Sequence, residues 1–83
     1  MGARPYYEII RDTLARNLAE GRLPAGTRLQ AAALAERLSV SRSPVKRALE
    51  LLAGEGRIVA TGGQGYAVPP LDGAPVRRNL HLL

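Results

Sequence analysis

The chain has 83 residues and a formal net charge of +5, with 46% hydrophobic and 4% aromatic residues. This length suits one small domain, whose core must be built from Leu, Ile, Val and Ala because Phe and Trp are absent. Cysteine is absent and histidine occurs once, which excludes a disulfide framework, a thiolate zinc site, a cysteine nucleophile and a histidine-rich metal cluster. The basic charge favours a nucleic acid or an anionic membrane surface as partner. Since the sequence shows neither a signal-peptide pattern nor disulfide cysteines, we expect a cytoplasmic protein.

The first predicted helix runs from Tyr6 to about Glu20. Its apolar side chains recur at four-residue intervals as far as Leu18, which is the spacing of an amphipathic helix. The stretch "GRLPAGTRL" follows and predicts a turn, because it contains a proline and two glycines. Arg28 is therefore expected in a loop before the next helix.

Two further helices are predicted on either side of the short break "SVS". The first, "AAALAERL", covers residues 31–38 and consists mainly of strong helix formers. The second begins at Arg42 or Pro44 and ends near Gly54, with an apolar stripe of i, i+3, i+4, i+7 spacing. Its N-terminal cap has two candidates, Ser41, or Ser43 followed by proline at the first helical position.

The remaining elements are two short strands, "RIVA" and "GYAV", separated by the glycine-rich tip "TGGQG". The order helix, helix, helix, strand, strand predicts a mostly α fold with a small β-hairpin, a winged helix-turn-helix of three helices and a two-stranded wing.

Residues 18–68 resemble the winged-helix DNA-binding domain of GntR-type bacterial transcription regulators. The matching stretches occur in the family's order: "GRLPAGTRL", "LAERLSVSRSPVKRAL", "LLAGEGRIV" and "GQGYAV". The resemblance implies sequence-specific binding of double-stranded DNA by a metabolite-responsive regulator, expected to be a repressor. Residues 1–69 would form the DNA-binding domain, and residues 70–83 a linker or the start of a C-terminal effector domain missing from this chain.

The resemblance also implies partners. A homodimer is expected on a pseudo-palindromic operator, with half-sites set by the geometry of the dimer. A small-molecule effector would bind the missing C-terminal domain, so no cofactor is expected in the winged helix itself.

The chain departs from the family at three places. Gln30 and three alanines stand where the family often has Glu or Arg at the start of the second helix. Arg47 replaces a frequent Glu on the third helix, and Gln64 occupies a wing position that is often basic. These differences indicate that positive charge has moved from the second helix to the third.

The predicted site combines one base reader with contacts to the DNA backbone. Arg42, at the start of the third helix, can donate two hydrogen bonds to guanine O6 and N7, and it matches the family's base-reading arginine. Lys46 and Arg47 are expected to bind phosphates, while the neighbouring serines either bind phosphate or cap the helix. The wing glycines would approach the sugar–phosphate edge, where Gln64 can reach a minor-groove acceptor. The predicted DNA-binding residues are Arg28, Ser41, Arg42, Ser43, Pro44, Lys46, Arg47, Gly62, Gly63, Gln64 and Gly65.

Other interpretations fit the sequence less well. An enzyme is disfavoured because the acidic residues are scattered and the lone His81 lies near the C-terminus. A membrane-surface helix is disfavoured because the core requires the apolar stripe of the third helix. The basic face could be solvated charge with an Arg47–Glu50 pair, and the domain could be a winged-helix protein-interaction module without DNA specificity.

Overall fold

The computed structural model describes residues 4–63 and 65–70. It confirms the three predicted helices and the hairpin that follows them. None of the helices in this part of the chain is long and apolar enough to cross a membrane. The elements in chain order are α1 (Tyr6–Ala19), β1 (Arg28–Gln30), α2 (Ala31–Leu38), α3 (Arg42–Gly54), β2 (Val59–Ala60) and β3 (Gly65–Ala67).

Helix α3 is the centre of the core. The predicted stripe on this helix is fully buried, with Val45, Ala48, Leu49 and Leu52 all at 0% exposure. It packs against Ile10 and Leu14 of α1 and against Ala35 of α2. Because one face of α3 is committed to the core, its polar face is turned to solvent. The remaining buried residues are Leu29, Ile58 and Val68.

The sheet contains a strand that the sequence did not predict. Arg28 was expected in a loop and Gln30 at the start of the second helix, but residues Arg28–Gln30 form β1 and make the sheet three-stranded, in the order β1-β3-β2. Both pairs are antiparallel, and Leu29 lies opposite Tyr66. Leu29 is 2% exposed and Tyr66 packs against the core, so this pair faces inward and attaches the hairpin to the helices.

A cluster of charged side chains joins α1 to the base of the hairpin. The Arg11 guanidinium donates to both carboxylate oxygens of Glu55, at 3.0 and 2.5 Å. Arg57, which leads into β2, donates to the same carboxylate at 3.0 Å. The hydrogen bond from Arg11 is the main reason that the pKa of Glu55 lies below its ordinary value. The three residues link the first helix, the end of the third helix and the hairpin.

Candidate nucleic-acid interface

The turn between α2 and α3 sets the relative placement of the two helices. Ser39 ends α2 in the left-handed conformation, with φ 60° and ψ 45°. The Val40 N–H then donates to the Ala35 carbonyl at 3.0 Å, and the Val40 side chain packs against the core. These contacts define a helix-turn-helix in which α3 starts at Arg42.

The two helices bring their N-terminal ends together at one cleft of about 360 Å³, which we call the recognition cleft. Arg42 and Lys46 extend from α3, while α2 contributes only the small methyl groups of alanines. The lining has no carboxylate, so the local charge of the cleft is positive. The residues that line it are Gln30, Ala31, Ala32, Arg42, Ser43 and Lys46.

The structure places Ser41 at the N-cap position of α3, but neither candidate serine forms a capping hydrogen bond. Ser41, with φ −75° and ψ 166°, is the residue that precedes the helix, and Pro44 is the third helical residue. No side-chain hydrogen bond caps either α2 or α3. The Ser41 and Ser43 side chains are exposed, so neither hydroxyl is committed to capping.

A second cleft lies where α3 meets the N-terminal end of α1. We call it the tyrosine cleft, with a volume of about 440 Å³. The Arg47 guanidinium carbon lies 4.6 Å from the centroid of the Tyr7 ring, within the range of a cation–π interaction. The residues that line this cleft are Tyr6, Tyr7, Ser43, Pro44, Lys46, Arg47 and Glu50. Ser43 and Lys46 line both clefts, so the first half of α3 forms the ridge between them.

The basic residues of this ridge are not neutralised by acidic neighbours. Within residues 4–63 and 65–70, no carboxylate lies within 4.0 Å of Arg42, Lys46 or Arg47. Glu50 lines the tyrosine cleft, yet the Arg47–Glu50 pair considered from the sequence does not form. The cations that do form ion pairs in this part of the chain are Arg4, Arg11, Arg22 and Arg57.

The hairpin adjoins the recognition cleft through β1. Gln30, which lines the cleft, is the register partner of Gly65 on β3. At the tip, Gly62 and Gly63 have φ angles of +89° and +60°, a region that glycine adopts without the penalty of a side chain. At Gly65, a Cβ would lie 3.2 Å from the Thr61 hydroxyl oxygen. Gln64, predicted to read the minor groove, lies outside the described residues.

Arg28 lies on the same face of β1 as Gln30, since both are exposed and the residue between them, Leu29, is buried. It occupies an exposed position on β1, beside Ala67 of β3, and lines neither cleft. Sequence reasoning instead missed Gln30, which the structure places in the recognition cleft with Arg42. Its position next to a predicted helix start was the available signal, since a Gln amide there can meet the N6 and N7 atoms of adenine.

This arrangement is that of a winged helix-turn-helix domain, with an exposed, positively charged recognition helix and an adjacent wing. A family model described as bacterial regulatory proteins, gntR family, matches residues 6–68. The chain therefore belongs to the GntR family, and these residues form the DNA-binding domain of a GntR-family transcription regulator. The family consists of transcription regulators, which are not enzymes.

Several solved structures share the fold. E. coli McbR/YncC is 27% identical with a TM-score of 0.80, and the match covers 96% of this chain and 41% of that one. YtrA from Sulfolobus acidocaldarius, a GntR-family transcription factor, is 28% identical with a TM-score of 0.75, over 98% of this chain and 86% of that one. A GntR family transcriptional regulator from Listeria monocytogenes, at 20% identity and a TM-score of 0.76, shows the fold alone; that match covers 99% of this chain and 78% of the Listeria chain. No curated protein matches the chain at a significant level.

Proposed function

We propose that the chain binds double-stranded DNA sequence-specifically, with α3 in the major groove and the recognition cleft against the base edges. Arg42 reads a guanine through O6 and N7. Lys46, Arg47 and the two serines bind phosphates on either side of the groove. The wing glycines bring the hairpin backbone close to the adjacent sugar–phosphate edge.

The observation that carries this proposal is the position of Arg42 and Lys46. Both side chains are exposed, lie at a cleft without a carboxylate and have no ion-pair partner among the described residues. A cation that served only to keep the protein soluble would not need to lie at a cleft free of carboxylates. A cation that binds DNA must instead have its N–H groups free, because a carboxylate partner would compete with guanine or phosphate.

One copy of the domain offers few base contacts, so we propose that two copies bind a pseudo-palindromic operator. The chain spans 41% of the length of McbR/YncC. We propose that a further domain binds a small metabolite and that residues 70–83 lead into it. Since a bound dimer excludes other proteins from its operator, we propose that the regulator acts as a repressor.

The test is selection of duplexes from a random pool by the 83-residue chain, followed by affinity measurements over a range of salt concentrations. We expect a short palindromic motif to be enriched. Arg42→Ala should remove the preference for guanine at one position of each half-site. A bidentate contact to guanine discriminates against the other bases by about 1–3 kcal/mol, and this discrimination should be lost in the variant.

The matched control is Arg16→Ala, which removes the same charge from the last turn of α1 and should leave the motif unchanged. Enrichment of no motif, together with a salt dependence near zero, would refute the proposal. It would favour the alternative of a winged-helix protein-interaction module.

A further inference from the structure

The contact between Arg47 and Tyr7 joins the recognition helix to the N-terminal end of α1. Tyr7 is the second residue of α1, and its ring lies 4.6 Å from the Arg47 guanidinium carbon. Among the described residues, Arg47 has no carboxylate within 4.0 Å, although Glu50 lines the same cleft. The ring of Tyr7, and not an acidic group, therefore holds this guanidinium.

Stacking and hydrogen bonding use different parts of a guanidinium group. The aromatic ring meets its flat face, while its N–H donors point outward in the plane. A carboxylate partner would occupy those donors, whereas an aromatic ring leaves them available for a phosphate. Arg47 is exposed, so its N–H edge can be reached from outside the protein.

We propose that Tyr7 is a positioning residue for DNA binding: its ring holds Arg47 on the α1 side of α3, oriented to bind a phosphate. The inference rests on the function proposed above. The recognition cleft lies on the other side of the same ridge, so Arg47 would contact the backbone at the edge of the groove away from that cleft. A side chain already held in place loses less conformational freedom on binding, which strengthens the contact.

The test is a double-mutant cycle measured on the selected duplex, using Tyr7→Leu, Arg47→Ala and the double variant. Arg47→Ala should make the salt slope shallower by about 0.9, the value for one phosphate contact. Tyr7→Leu should weaken binding about two- to five-fold, the range expected for an exposed cation–π contact. In the Arg47→Ala background, Tyr7→Leu should cause no further loss, because the group that Tyr7 orients is gone.

Two controls separate positioning from other roles of the tyrosine. Tyr7→Phe retains the ring and should bind as the wild type does, whereas loss of binding in this variant would mean that the hydroxyl contacts DNA directly and would overturn the proposal. Tyr6→Leu alters the same cleft without removing the ring that contacts Arg47, and should leave the Arg47 effect intact. Thermal unfolding of each variant without DNA establishes that the loss is measured on folded protein.

Two further results would overturn the inference while leaving the proposed function standing. The first is wild-type affinity in Tyr7→Leu, and the second is an equal loss from Tyr7→Leu with and without Arg47. Failure of the wild-type chain to bind any duplex would overturn the proposed function and the inference together.

Discussion

The central position of α3 allows a stability prediction with an internal control on the same helix. Leu49 is 0% exposed and Leu51 is 36% exposed, so the change of leucine to alanine can be compared at two depths. At full burial this change costs about 2–5 kcal/mol, through lost transfer free energy and the cavity that remains. The structure describes roughly 65 residues, and for a domain of that size a total stability of about 3–10 kcal/mol is typical. Leu49→Ala should therefore remove much of the stability, and Leu51→Ala about 1 kcal/mol or less.

The assay is thermal and urea unfolding followed by circular dichroism. For a domain of this size, each kcal/mol lowers Tm by about 4–8 °C, so Leu49→Ala should lower Tm by at least about 8 °C, and Leu51→Ala should lower it by less than Leu49→Ala does. Leu49 belongs to the face opposite the clefts, and DNA affinity per folded molecule should therefore be unchanged. Equal losses of stability in the two variants would refute the packing of α3 described above.

Two further predictions concern charge. The pKa of Glu55 is lowered chiefly by the hydrogen bond from Arg11, and that of Asp12 chiefly by the hydrogen bond from Arg4. A carboxylate whose pKa is lower in the folded state stabilises that state at pH values above its ordinary pKa, which is 4.5 for Glu55 and 3.8 for Asp12. This stabilisation is lost as the pH falls through the pKa of the folded state. The Tm of the wild type should thus decrease as the pH is lowered below 4.5. Glu55→Gln should have a lower Tm at neutral pH, and its Tm should decrease less steeply in acid. A dependence of Tm on pH identical to that of the wild type, or to that of the exposed control Glu36→Gln, would contradict the role of the cluster. Ala32→Arg, in the recognition cleft, should steepen the dependence of DNA affinity on salt concentration by about 0.9 in log–log slope, the value for one added phosphate contact. The control Ala19→Arg, at the far end of α1, should leave this slope unchanged. Equal slopes in the two variants would mean that the cleft lies away from the DNA.

The apolar side chains that recur at helical spacing were sufficient to predict the three helices. The predicted span 31–38 is that of α2, and α1 ends one residue before the position expected from its apolar repeat. The buried stripe of α3 could be predicted because four apolar side chains at helical spacing all lie on one face of the helix, which must then face the core. The hairpin was readable from its glycine-rich tip, which separates two short apolar runs.

The strand β1 was missed because three residues are too few for an alternating pattern. Arg28–Gln30 extends only because β3, from the other end of the domain, supplies hydrogen-bond partners. Its turn-like surroundings favoured a loop, and this error also misplaced Arg28. For the same reason Gln30 was not recognised as a neighbour of Arg42.

The amino-acid sequence by itself determined the helices, the hairpin and the basic start of α3, because each depends on residues close together in the chain. Its motifs also identified the family. The tertiary structure decided which distant side chains come together: Gln30 and Arg42 line one cleft, and Arg47 contacts Tyr7 at the other. The sequence allowed Arg47 a nearby partner in Glu50, but the packing of α1 against α3 provides an aromatic ring instead. Contacts between distant segments depend on how helices pack, and no local pattern contains that information.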